Sequence, residues 1–208
     1  MKTAIQITLF LAIIVLGYLV WESIQAPIRF NKTLDVREEA TIKKLIDIRT
    51  MQVAYKDIKG KFTGSFDTLI DFVKHDSFPI ISKDYQEGWD PDLYTEAQGI
   101  RKGLIKISVT KKSVLDSLFG KDYPIDRIRY IPFTEKSEFK LGAGQVITGS
   151  KVAVKVFEVS ALYDTILAGL DDQLVINYIY EKEKITKFPG LKVGSLEEAT
   201  NNAGNWEK

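Results

Sequence analysis

Ile5 to Trp21 reads IQITLFLAIIVLGYLVW, a run without a single charge in which only Gln6 and Thr8 are strongly polar. Wound as a helix it is apolar on every face, whereas a helix on the surface of a soluble domain needs only one apolar stripe. Such a helix spans roughly 25 Å at about 1.5 Å per residue, near the lower limit for crossing a bilayer. Tyr18 and Trp21 lie at its far end, where amphipathic rings favour the membrane–water boundary, and Glu22 closes the run. Ile5, Leu9, Leu11, Ile13, Ile14, Leu16, Leu19 and Trp21 are therefore expected to form a membrane anchor. A cleaved leader competes with this reading. Cleavage wants small residues at the −3 and −1 positions. Ser23-Ile24-Gln25-Ala26 offers Ala26 at −1 but Ile24 at −3, with Pro27 next. A retained single-pass anchor is the preferred expectation. Lys2 flanks one side, and Arg29, Lys32 and Arg37 the other. The positive-inside count favours a cytoplasmic C-terminal side and the short leader favours the opposite; we take the exported orientation.

Composition narrows the chemistry. The 208 residues suffice for one ordinary domain or two small ones. Lys and Arg number 29 against 28 Asp and Glu, a net charge of +1, which argues against a nucleic-acid binder that works by neutralising phosphates. The absence of Cys excludes disulfides, thiolate zinc sites and Cys nucleophiles. A single His excludes multi-His metal sites. His75, between Lys74 and Asp76, reads as a surface or capping residue. Gly142-Ala143-Gly144-Gln145 lacks the Gly-Lys-Ser/Thr of a phosphate loop and reads as a hairpin turn. No Gly-x-Ser-x-Gly element is present. Asp164, Asp171 and Asp172 read as cap and turn residues. No catalytic residue, cofactor or metal site is assigned, and no enzymatic activity is expected.

Pro27 is expected to interrupt or kink the helix just past the membrane. A second helix is expected from about Asp35 to Lys59, with Thr33 or Asp35 as N-cap, Glu38 and Glu39 in its first turn, and Gly60 just past its end. Ile48, Met51, Tyr55 and Ile58 form one stripe on it. Ile42, Leu45, Ile46 and Val53 form a second, rotated from the first. Two stripes suggest two packing partners, the helix's own domain and a neighbouring copy, so the second stripe is the candidate self-association surface. The alternative is a helix set deep in its own domain.

Ser65 then caps a short helix carrying Phe66, Leu69, Ile70, Phe72 and Val73. Residues 83–103 read as a long surface loop. Leu104–Val109, Ile125–Phe133, Lys151–Val159 and Leu174–Tyr180 are strand candidates. Ser113–Phe119 and Ala161–Leu170 read as short helices, Lys182-Glu183-Lys184 as a turn, and Ser195 with Glu198 as a capping box. The expected fold is α+β, with a long N-terminal helix followed by a mostly antiparallel β-rich head. The expected division is an anchor at 1–26, an amphipathic stem at 27–60 and a globular head at 61–208.

The stretch from Ile48 to Leu69, IRTMQVAYKDIKGKFTGSFDTL, resembles the middle of type IV pilins and type II secretion pseudopilins. Those proteins carry an Arg-Thr-Ala-Gln-like helix end, a Tyr, a Gly-basic-aromatic turn and a short Ser-x-x-x-Leu segment. The order of parts over the first third of the chain is similar to theirs: short basic leader, apolar helix, Pro near its end, amphipathic helix, β-rich head. The pattern is atypical in one respect. Ala4-Ile5 stands at the best available processing junction, and Leu9 occupies the position where the family has an acid. The resemblance implies a structural subunit of a pilus-like or pseudopilus filament that self-associates through its N-terminal helices. It implies as partners copies of itself, the membrane and other envelope assembly subunits. The implied location is a bacterial cell envelope, anchored in the inner membrane with an exported head, or an extracellular filament. The alternative is a monomeric membrane-anchored envelope protein whose head binds a partner in a larger complex; an anchored hydrolase ranks third. Some pseudopilins bind calcium in acidic loops, and Asp84, Glu87, Asp90, Asp92 and Glu96 make such a loop, but their spacing matches no EF-hand and a solvated loop is the default.

Overall fold

The computed structural model describes residues 2–207. The side chains of Lys2 and Ala4 lie outside the described part, and with them the basic leader and the Ala4-Ile5 junction. The fold is α+β, with one long helix followed by antiparallel sheets. Helix α1 runs from Lys2 to Lys59 without a break. The expected interruption at Pro27 does not occur: Pro27 lies inside the helix. A proline removes one N–H, here the partner of the Ser23 carbonyl, and the turns on either side keep their own bonds. Thr33 and Asp35 are consequently mid-helix residues rather than caps, and the Thr33 hydroxyl donates to the Arg29 carbonyl at 3.0 Å. Gly60, at φ +71°, ends the helix, and its N–H donates to the Lys56 carbonyl.

Residues up to 49 together with those from 128 onward form one compact unit, and residues 50–127 form another. The single head expected at 61–208 is thus shared between two units. In the first, β3 (Lys140–Ile147), β4 (Ala153–Leu162) and β5 (Gly190–Gly194) make an antiparallel sheet in that order. Val156, Phe157, Val159, Ala161, Leu191 and Val193 are its buried apolar side chains. Helices α5 (Tyr163–Ile166) and α6 (Asp172–Thr186) complete the unit. Gly190 has to be glycine, because a Cβ there would stand 2.2 Å from the Ala161 carbonyl oxygen.

The second unit holds the end of α1, then α2 (Phe66–His75), α3 (Glu96–Arg101) and α4 (Val114–Leu118), with a hairpin of β1 (Ser77–Tyr85) and β2 (Ile105–Ser113). Its core gathers Met51, Tyr55, Phe62, Leu69, Phe72, Val73 and Val114. Ser65 caps α2, its side chain accepting from the Thr68 N–H. Gln52 is fully buried; it donates to the Thr63 carbonyl at 2.6 Å and accepts from the Thr63 N–H at 3.1 Å, pinning the turn after α1.

Several segments differ from expectation. Leu174–Tyr180 is not a strand but the first half of α6, capped by Asp171, whose carboxylate accepts from the Leu174 N–H at 3.0 Å. Val175, Tyr178, Ile179, Lys182 and Thr186 are its inward positions, at helical spacing, so Lys182-Glu183-Lys184 is helix rather than turn. Ile125–Phe133 begins as a 3₁₀ turn, Ile125–Arg127, and buries Ile125, Ile128 and Ile131 at every third residue. Gly142–Gln145 lies within β3, and the hairpin turns at 148–152 instead. The loop at 83–103 is shorter than expected, since β1 reaches Tyr85 and Thr95 with Gln98 forms a capping box for α3. Ser195 accepts from the Glu197 and Glu198 N–H groups, but no helix follows.

Candidate functional site

The feature that stands apart from the two cores is the first part of α1. Ile5, Leu9, Leu11, Ile13, Ile14, Leu16, Leu19 and Trp21 are all between 53% and 64% exposed, and they point to every side of the helix. An apolar window of α1 near the N-terminus is long enough to cross a membrane and has no residue buried inside the protein. A signal sequence has the same character. Glu22, directly after the apolar run, forms an ion pair with Arg29 two turns further on.

From Phe30 onward α1 changes its surroundings. Phe30, Leu34, Thr41, Leu45 and Ile48 are buried along one face at spacings of four, seven, four and three. Sequence reading missed Phe30 and Leu34, which lie upstream of the expected helix start at Asp35; their spacing to Thr41 and Leu45 carries the signal. The second stripe divides. Leu45 is fully buried, because at 3.6 residues per turn it stands only about 60° from Ile48. It belongs to the helix's own core and is removed from the candidate self-association surface. Ile42 is half-buried and lines a cavity of about 70 Å³ with Glu38, Tyr163, Leu191 and Trp206. Ile46 and Val53 remain exposed.

Polar contacts fasten the helix to its unit. One Glu38 carboxylate oxygen accepts from the Tyr163 and Tyr178 hydroxyls, each at 2.6 Å. The two rings meet edge to face at 5.0 Å, and Phe30 packs edge-on to Tyr178. Burial, reinforced by the Glu38 carboxylate, pushes both phenols well above the usual tyrosine range, so both stay protonated donors. Arg37 donates to the Ile166 and Ala168 carbonyls at 3.0 and 2.9 Å, and Lys44 to the Tyr130 carbonyl at 2.7 Å. Arg49 pairs with Glu207 at 2.7 Å. The Gly204 N–H and then Arg49 hold the Glu207 carboxyl below the usual carboxylate range. Chemically this arrangement grips a helix; its polar groups are directed at one another.

The remaining sequence candidates fall elsewhere. His75 is exposed and its Nδ1 contacts Asp71 one turn back. Asp171 caps α6, and Asp164 and Asp172 lie in first turns. Among the described residues no three His, Asp or Glu side chains, those of the 84–96 loop included, come together as a metal site. A groove of about 550 Å³ beside β5 gathers Lys192, Ser195, Glu197, Glu198 and Glu207 with both charge signs. Compared with known proteins, the chain matches no family, no curated sequence and no solved structure.

Proposed function

We propose that the chain is a membrane-anchored structural subunit that assembles with copies of itself through the first part of α1, in the manner of a pilus-like or pseudopilus filament. The observation that carries this reading is the contrast along one unbroken helix. Residues 5–21 are uncharged, mostly apolar and bare on all sides, while from Phe30 the helix is gripped by a folded unit. Each Leu, Ile or Val side chain withdrawn from water contributes about 1.5–3 kcal/mol. Lipid satisfies that demand for an isolated copy, and packed sister helices satisfy it for an assembled one. The order of parts and the Ile48–Leu69 pattern support the same reading. The exported orientation and the envelope location belong to this proposal.

The chain has no Cys, so introduced thiols report cleanly. Leu9→Cys and Leu11→Cys placed together lie on opposite faces of the helix, about 160° apart, so each copy can be linked to two neighbours. Mild oxidation in the membrane is expected to give a ladder of trimers, tetramers and higher species. A chain that stays monomeric, or stops at dimers, overturns the reading in favour of an anchored protein that works with an unlike partner.

A further inference from the structure

The β1–β2 hairpin carries more bare apolar surface than a two-stranded ribbon sustains by itself. Its register sets Ile81 opposite Val109, Lys83 opposite Ile107 and Tyr85 opposite Ile105. Opposed residues, and residues two apart along a strand, share a face. One face therefore presents Ile81, Tyr85, Ile107 and Val109, all exposed, with Lys83 and Lys111 among them. Of the eighteen residues in the two strands only Ile105 is buried. Among the described residues no third strand joins, so both edges keep free backbone groups. Two-stranded hairpins are marginal in water without a covering layer.

Charge indicates what covers it. β2 carries Lys106, Lys111 and Lys112 and no acid. Lys106 faces Asp84 across the ribbon, whereas Lys111 and Lys112 face Pro79 and Phe78. The connection at the other end of the same hairpin is opposite in sign. Glu87 and Asp92 are exposed there, and Leu93 beside them is the barest apolar residue of the connection, at 70%. The turn is shaped by Asp90, whose side chain accepts from the Asp92 N–H and whose carbonyl accepts from the Leu93 and Tyr94 N–H groups. Glu96 of the connection pairs with Lys83 of its own hairpin, but Lys111 lies six residues along β2 from Ile105, roughly 20 Å, beyond the reach of its own turn. Symmetric pairing of two β2 edges about Val109 sets Lys106 against Lys112, which is repulsive.

We propose that the hairpin is a head-to-tail docking surface between copies of this chain. Leu93 of one copy seats on the Ile81–Val109 face of the next, with Asp92 and Glu87 directed at Lys111, the lysine of β2 on that face. A contact between unlike surfaces propagates instead of closing on itself. This inference rests on the self-assembly reading and supplies it with a second, polar contact outside the membrane.

The test mixes full-length chains carrying Leu93→Cys with full-length chains carrying Val109→Cys in one membrane and oxidises them. With the two chains in equal amounts, the mixed disulfide is expected to exceed either homodimer by well over the twofold that random pairing gives. Lys111→Glu in the Val109→Cys chain is expected to lower its yield about tenfold, and Lys112→Glu, on the opposite face, to leave it unchanged. Adding Glu87→Lys with Asp92→Lys to the Leu93→Cys chain is expected to restore the yield lost with Lys111→Glu, which only folded chains can do. A mixed disulfide at or below the random twofold, an unchanged yield after charge reversal at Lys111, or no restoration overturns the inference. A missing mixed disulfide alongside an intact Leu9→Cys/Leu11→Cys ladder sinks the hairpin contact alone, whereas loss of both sinks the assembly reading as well.

Discussion

Gln52 shows how one side chain can fix a turn that the backbone leaves open. It is a fully buried amide whose two polar ends both serve Thr63. Gln52→Leu keeps the apolar volume and strands both Thr63 backbone groups, a cost of about 2 kcal/mol. The expected readout is about thirtyfold faster hydrogen exchange at the Thr63 amide, with exchange in the β3–β5 sheet unchanged. An unaltered Thr63 rate contradicts the assignment. At this scale local signals were readable. Ser65 as a cap and Gly60 as a helix end follow from their immediate neighbours. The Glu38 pair of hydroxyl bonds was not readable, because Tyr163 and Tyr178 lie 125 and 140 positions away and no short-range pattern links them.

Elements were readable where periodicity and punctuation agreed. The second half of α1, α2 and β4 follow from stripes or alternation bounded by Gly, Ser or Pro. Helix α6 fails that test because LVINYIY is rich in β-branched and aromatic residues, which favour strands on composition. The deciding signals lie outside those seven residues. Asp171 caps the segment in front, and the chain runs free of Gly and Pro through Thr186, too long for an ordinary strand. Asp171→Ala should therefore cost α6 about 1 kcal/mol, read as about fivefold faster exchange at the Leu174 amide. No change there would mean that packing of Val175 and Tyr178 alone sets the helix start. The hairpin turn misplaced at Gly142–Gln145 has a different cause. Glycine also serves close packing, and a Cβ on Gly142 would stand 2.8 Å from Leu196.

The whole molecule is organised by solvent. Two compact units bury their own cores, and one uncharged, mostly apolar window of α1 near the N-terminus has no residue buried inside the protein. Hydropathy alone made that segment legible, because a long uncharged run has few physical solutions. The partition of the chain into units was not legible, since the first unit joins the N-terminal helix to residues from 128 onward, across a complete intervening fold. The account requires residues 5–21 to be part of the working molecule rather than a discarded leader. Intact-mass spectrometry of the chain extracted from membranes tests this directly. The account predicts a mass that includes Ile5 to Trp21 in the membrane fraction. A mature chain that begins at Pro27 or beyond, recovered without detergent, contradicts it.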